Sequence, residues 1–160
     1  MKAAVKAEWI KLITTRTCKG LVLGAGAIAA FIVFGFMARG GPPWDAVKPL
    51  NEMDAWAFAV LNVSVFGLIL GAKTFTDEVR YGSIVHTFFA DPGRRKSMVA
   101  KAIAAAGGTM IVAAATIVME VVTTYGLAAV TGGEINFGLG SVLVPALGVF
   151  GAAALWAVLG

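Results

Sequence analysis

The segment Thr76-Asp77-Glu78-Val79-Arg80-Tyr81-Gly82-Ser83-Ile84-Val85-His86-Thr87-Phe88-Phe89-Ala90-Asp91-Pro92-Gly93-Arg94-Arg95-Lys96 is an island of charge and turn chemistry between long apolar runs. It opens with two acids, breaks at Gly82 and carries a short apolar stretch. It then turns at Asp91-Pro92-Gly93 and ends in three basic residues. Gly82 tolerates a sharp change of chain direction, and Ser83 is a good N-cap for a short helix through Ala90. Ile84 and Phe88, with Val85 and Phe89 beside them, give that helix an apolar face.

Outward from this island the chain is apolar. Of its 160 residues, 59% are hydrophobic and 14% charged, where a soluble domain has about a quarter charged. Runs of about twenty apolar residues suit a hydrocarbon core about 30 Å thick. The composition predicts an all-α polytopic membrane protein with about four transmembrane helices, forming one transmembrane domain over 1–160. Residues 2–17 are expected to form an interfacial amphipathic helix, with Val5, Trp9, Leu12 and Ile13 on one side and Trp9 at headgroup level. The spans are expected at 20–38, 55–72 with the helix continuing to about 80, 98–125 and 142–160. The short cytoplasmic helix falls at 82–90. The first span reads as a retained signal anchor, because its apolar run is too long for a signal-peptide core.

Charge sets the orientation. Basic residues concentrate on the cytoplasmic side of membrane proteins. Lys2, Lys6, Lys11, Arg16, Lys19, Lys73, Arg80, Arg94, Arg95, Lys96 and Lys101 fall on one side, and only Arg39 and Lys48 on the other. The N-terminus and the Thr76–Lys96 island are therefore expected in the cytoplasm, and the loops 39–54 and 131–141 outside. Lys101, near the start of the third span, is expected to snorkel to the interface. The same distribution explains the net charge of +4 without nucleic acid, since no soluble basic face is long enough to bind one.

Few groups here carry chemistry. There is no G-x-x-x-x-G-K-S/T phosphate loop. One histidine and one cysteine, Cys18, are too few for a zinc site of about three or four ligands, and Cys18 alone makes no intrachain disulfide. Gly24-Ala25-Gly26-Ala27-Ile28-Ala29 matches a loose dinucleotide pattern, but it lies inside an apolar helix with no strand before it. Gly20-x-x-x-Gly24 and Gly67-x-x-x-Gly71 are candidates for close helix packing. Asn62-Val63-Ser64 fits a glycosylation acceptor, yet within a span Asn62 is better suited to an interhelical hydrogen bond. Glu120 is the one acid of the third span. It lies about 27 Å along the helix from Ala102, so it is either an interfacial carboxylate or part of a substrate path, with Asn62 the other candidate for that path. The chain is expected not to be an enzyme, to bind no metal and to hold no cofactor of its own. The 82–90 helix either rests on lipid or inserts its apolar face into a groove on a soluble partner.

These residues resemble a known family. Ala7-Glu8-Trp9-Ile10-Lys11-Leu12 before the first span, then Phe75-Thr76-Asp77-Glu78-Val79-Arg80-Tyr81-Gly82-Ser83-Ile84 and Asp91-Pro92-Gly93-Arg94-Arg95, are similar to the permease subunits of type-2 ATP-binding-cassette exporters, the ABC-2 transporter family. In that family an acid-x-x-x-Gly-Ser/Thr pattern ends the second span, and a proline with basic residues leads into the third. The resemblance implies that Gly82, Ser83, Ile84, Val85, His86, Thr87, Phe88, Phe89 and Asp91 form a coupling helix docking on a separate ATPase, supported by Asp77, Glu78 and Arg80. ATP and Mg2+ would then be bound by that partner. A second permease, identical or different, would pair with this one in the plasma (inner) membrane. The family usually has six spans and this chain offers four. A non-transporting four-span scaffold or immunity-type protein is the alternative expectation, and a membrane enzyme using Glu120 and Glu134 a third.

Overall fold

A computed structural model of the chain describes residues 2–38, 52–80, 82, 95–131 and 139–159. These form five α-helices: α1 (Lys2–Thr14), α2 (Arg16–Ala38), α3 (Glu52–Arg80), α4 (Arg95–Thr131) and α5 (Leu139–Leu159). Among the described residues there is no strand. Residues 83–94, most of the expected coupling segment, lie outside the described residues, as do residues 39–51, where a loop is expected.

The break between α1 and α2 has a local cause. The Thr14 hydroxyl donates to the Ile10 carbonyl at 2.7 Å, and the Thr15 hydroxyl to the Leu12 carbonyl at 2.7 Å. Side-chain donors thus reach back to the carbonyls of the last turn, which helix ends leave short of partners. The chain bends at Thr15 and resumes at Arg16. The helix expected over 2–17 therefore stops at Thr14, and α2 is continuous from there.

α2 and α4 are each long and apolar enough to cross a membrane, over Arg16–Gly35 and Arg95–Val130. Shorter apolar stretches run over Phe58–Thr74 in α3 and Pro145–Leu159 in α5. α4 has 37 residues and runs past the expected end at 125. Nothing between Tyr125 and Thr131 breaks a helix except the single Gly126.

α4 is the centre of the bundle and packs against each of the other four helices. The inward faces are built from small residues at helical spacing: Ala25, Ala29 and Val33 on α2; Ala100, Ala104, Ala105, Val112 and Ala113 on α4; Val149, Ala153 and Ala157 on α5. Ala59, Val63, Ala113, Val149 and Ala153 form one core cluster. Small side chains let backbones approach, and Gly67 is a point of close contact between α3 and α4. A Cβ at Gly67 would lie 2.7 Å from the Thr109 methyl, a separation no real side chain tolerates. Large apolar residues point the other way. Leu23, Phe31, Val130 and Leu147 are more than 70% exposed.

Candidate functional site

Two sets of residues merit attention: the ends of α1, α3 and α4 that flank residues 83–94, and the polar groups deeper in the bundle.

At the first, α1 lies along the start of α4. Glu8 sits between two cations. Its Oε1 is 3.3 Å from Lys11 Nζ and its Oε2 3.4 Å from Lys101 Nζ. The Glu8 side chain is 15% exposed and that of Lys101 only 4%. Lys101 therefore does not snorkel along the helix surface as expected. It turns inward because a carboxylate is placed there by a neighbouring helix, and a buried ammonium needs such a partner. Nearly two turns further along α4, the Trp9 ring covers Gly107 so closely that no Cβ fits there. At Gly108 a Cβ would lie 2.7 Å from Leu12 and 2.8 Å from Leu70. Gly108 is thus the point where α1, α3 and α4 meet. Trp9 and Leu12, expected on the apolar side of an interfacial helix with Trp9 at headgroup level, are seated on α4.

The end of α3 approaches the same place. Lys73 pairs with Asp77 one turn on, and the Thr74 and Thr76 hydroxyls donate to the Leu70 and Ala72 carbonyls. Arg80 is exposed. Gly82 has φ 66°, in the left-handed region that glycine adopts without strain, and its N–H donates to the Val79 carbonyl at 3.3 Å. This is the usual way for glycine to close a helix and redirect the chain. Glu78 lies on the same last turns, and its side chain is outside the described residues. So are Ser83, Ile84, Val85, His86, Thr87, Phe88, Phe89 and Asp91. α4 begins at Arg95.

The deeper polar groups are separate. Asn62 is 7% exposed, and its Nδ2 donates across to the Ala25 carbonyl of α2 at 3.1 Å. The interhelical role expected for it is the one it has. Glu120 is half-buried, and its backbone carbonyl accepts from Thr124 at 2.7 Å. One turn earlier on the same face, the Thr116 hydroxyl is buried with no hydrogen-bond partner among the described residues. Gly26, next to Ala25, meets Met119, so α2 and α4 run side by side at this level. The bundle thus places a half-buried carboxylate and an unpaired hydroxyl on one stripe of α4.

Compared with family profiles, curated proteins and solved structures, the chain has no match.

The sequence reading takes Trp9 as a headgroup-level residue and Glu8 only as part of a longer motif, and it does not single out Gly107-Gly108 at all. A signal existed. Glycine costs about 1 kcal/mol relative to alanine inside a helix, so two adjacent ones in a long apolar helix point to something seated on them.

Proposed function

We propose that the chain is the membrane-spanning permease subunit of an ABC exporter. In this reading α2, α3, α4 and α5 are four spans, the N-terminus faces the cytoplasm, and the membrane is the plasma (inner) membrane. Residues 82–90 form the coupling helix that receives the work of a separate ATPase, which binds ATP and Mg2+. A second permease, identical or not, completes the transport path between the two.

The membrane placement is supported by where the apolar surface lies. Only 28% of the apolar window of α2 and 39% of that of α4 is buried. Core helices of a water-soluble bundle would be mostly buried, and exposed Leu23, Phe31 and Val130 are at ease only against lipid.

The observation that carries the coupling role is the three-helix junction at Gly108. A segment between Gly82 and Arg95 can act on transport only if its two flanking helices move with the rest of the bundle. Leu70 of α3 and Leu12 of α1 both seat on Gly108 of α4, and the Glu8–Lys101 pair holds α1 to the same helix. A push on the segment would therefore be shared by α1, α3 and α4 as one unit. The small-residue interfaces with α2 and α5 are suited to sliding, because they carry few interlocking side chains.

The test is co-purification. The full chain from its native membrane is expected to bring down an ATPase with a phosphate loop. Ile84→Asp with Phe88→Asp should release that ATPase while leaving the chain in the membrane fraction. An ATPase retained by the double variant would overturn the docking face. If none co-purifies with the native chain, the non-transporting scaffold reading takes its place.

A further inference from the structure

Where α1 lies against α4 it leaves an open groove of about 530 Å³, lined by Lys2, Val5, Lys6, Trp9 and Ile103. This is within the size range of small-ligand clefts. Its lining is divided in kind. Lys2 and Lys6 are exposed and stand one turn apart on the same face of α1. Like charges at that spacing repel and weaken a helix. The nearby acid, Glu8, is already engaged by Lys11 and Lys101. Among the described residues neither Lys2 nor Lys6 has an acidic partner. The remaining wall, Val5, Trp9 and Ile103, is apolar, with Ile103 46% exposed.

The two parts lie in a definite order. Glu8 meets Lys101, Trp9 meets Gly107 and Leu12 meets Gly108, so α1 runs in the same direction as α4. Lys2 and Lys6 are therefore at the end of the groove nearer Arg95 and Lys96, the basic start of α4. Ile103 is about 12 Å along α4 from Arg95. An occupant must be anionic at one end and apolar at the other, with the apolar end on the hydrophobic side.

We propose that this groove binds one anionic phospholipid of the bilayer, its phosphate held by Lys2 and Lys6 and an acyl chain laid along Val5, Trp9 and Ile103. The placement rests on the membrane-spanning role proposed above. A lipid there fills the seam between α1 and α4 and removes the repulsion between the two lysines. It ties occupancy of the seam to α4, one of the two helices that flank residues 83–94.

Trp9 lines the groove and reports its occupant. The full chain carrying Trp44→Phe, Trp56→Phe and Trp156→Phe keeps Trp9 as its one indole. It is reconstituted in vesicles of equimolar phosphatidylcholine and phosphatidylglycerol, with one or the other brominated on its acyl chains. Brominated phosphatidylglycerol is expected to associate with Trp9 about thirtyfold more strongly than brominated phosphatidylcholine, the preference two basic residues near an anionic surface confer. Lys2→Gln with Lys6→Gln should bring the ratio to about one, while Lys2→Arg with Lys6→Arg should keep it. Arg16→Gln with Lys19→Gln removes the same charge elsewhere and should also keep it. Equal quenching by the two lipids in the native lining would overturn the site alone. So would a preference that survives Lys2→Gln with Lys6→Gln, or one lost equally with Arg16→Gln and Lys19→Gln. Relief of quenching by inorganic phosphate would show a free-anion site and overturn the lipid. Quenching by neither lipid would overturn the membrane placement and the site together.

Discussion

The α1–α4 junction and the α3–α4–α5 core are both tight, but for opposite reasons. The core cluster of Ala59, Val63, Ala113, Val149 and Ala153 is made of many small aliphatic contacts, none of which is chemically unique. The junction depends on a few chemically distinct groups: one buried ammonium, the carboxylate that faces it, and two glycines under Trp9 and Leu12. In the four-span reading proposed above, apolar side chains gain little by leaving lipid for protein, and that core is held by packing. A buried ion pair behaves differently. Its net value is modest, yet removing one partner is costly. The region nearest the proposed point of energy input is therefore the one most sensitive to single residues, and the small-residue core is the more forgiving.

The comparison can be broken at its strongest point first. Glu8→Ala takes away the carboxylate facing Lys101 and is expected to cost about 3 kcal/mol. Thermal unfolding of the purified chain in mild detergent measures it. Exchanging the two charges, Glu8→Lys with Lys101→Glu, should recover part of that loss. A cost no larger than that of an exposed pair would remove the electrostatic half of the contrast.

Next comes the glycine seat. Gly107→Val puts a side chain where the Trp9 ring lies, with an expected cost of about 2 kcal/mol, as for other overpacked sites. Trp9→Ala in the same chain should relieve most of it, since the clash is with one flexible side chain. Non-additivity in that double-mutant cycle is the readout. Simple addition of the two effects would mean that Trp9 is seated elsewhere.

The smallest effect is expected in the core. Val149→Ala should cost only about 1 kcal/mol, because in the four-span reading packing contacts are lost but no water-driven burial is. A loss as large as that of Glu8→Ala would reverse the comparison and make the core the sensitive region.

Parts of this arrangement are legible in residues taken alone. Asn62 stands by itself in an apolar helix, and such a residue needs a partner across the helix interface. It has one in the Ala25 carbonyl. Gly67 was readable as a close-packing position, although its neighbour Thr109 was not. The paired pattern Gly20-x-x-x-Gly24 was a weaker guide. A Cβ at Gly20 would meet nothing, and one at Gly24 would make only ordinary contact with Phe66 at 3.6 Å. The spacing is the same in the two cases, and what differs is whether another helix passes there.

Lys101 is the clearest case of the opposite kind. A lysine near the start of an apolar helix is read as pointing back to the water, because along its own helix that is the nearest place to put a charge. It points inward because Glu8, on a helix far away in sequence, lies beside it. Hydropathy and turn chemistry act over one or two helical turns, so the sequence by itself determined the helical class, the apolar runs of α2 and α4 and the positive-φ turn at Gly82. Which glycines serve as seats, and which charge faces inward, depends on how segments distant along the chain pack together. Only the tertiary structure decided that α1 is clamped onto α4 and meets α3 at Gly108.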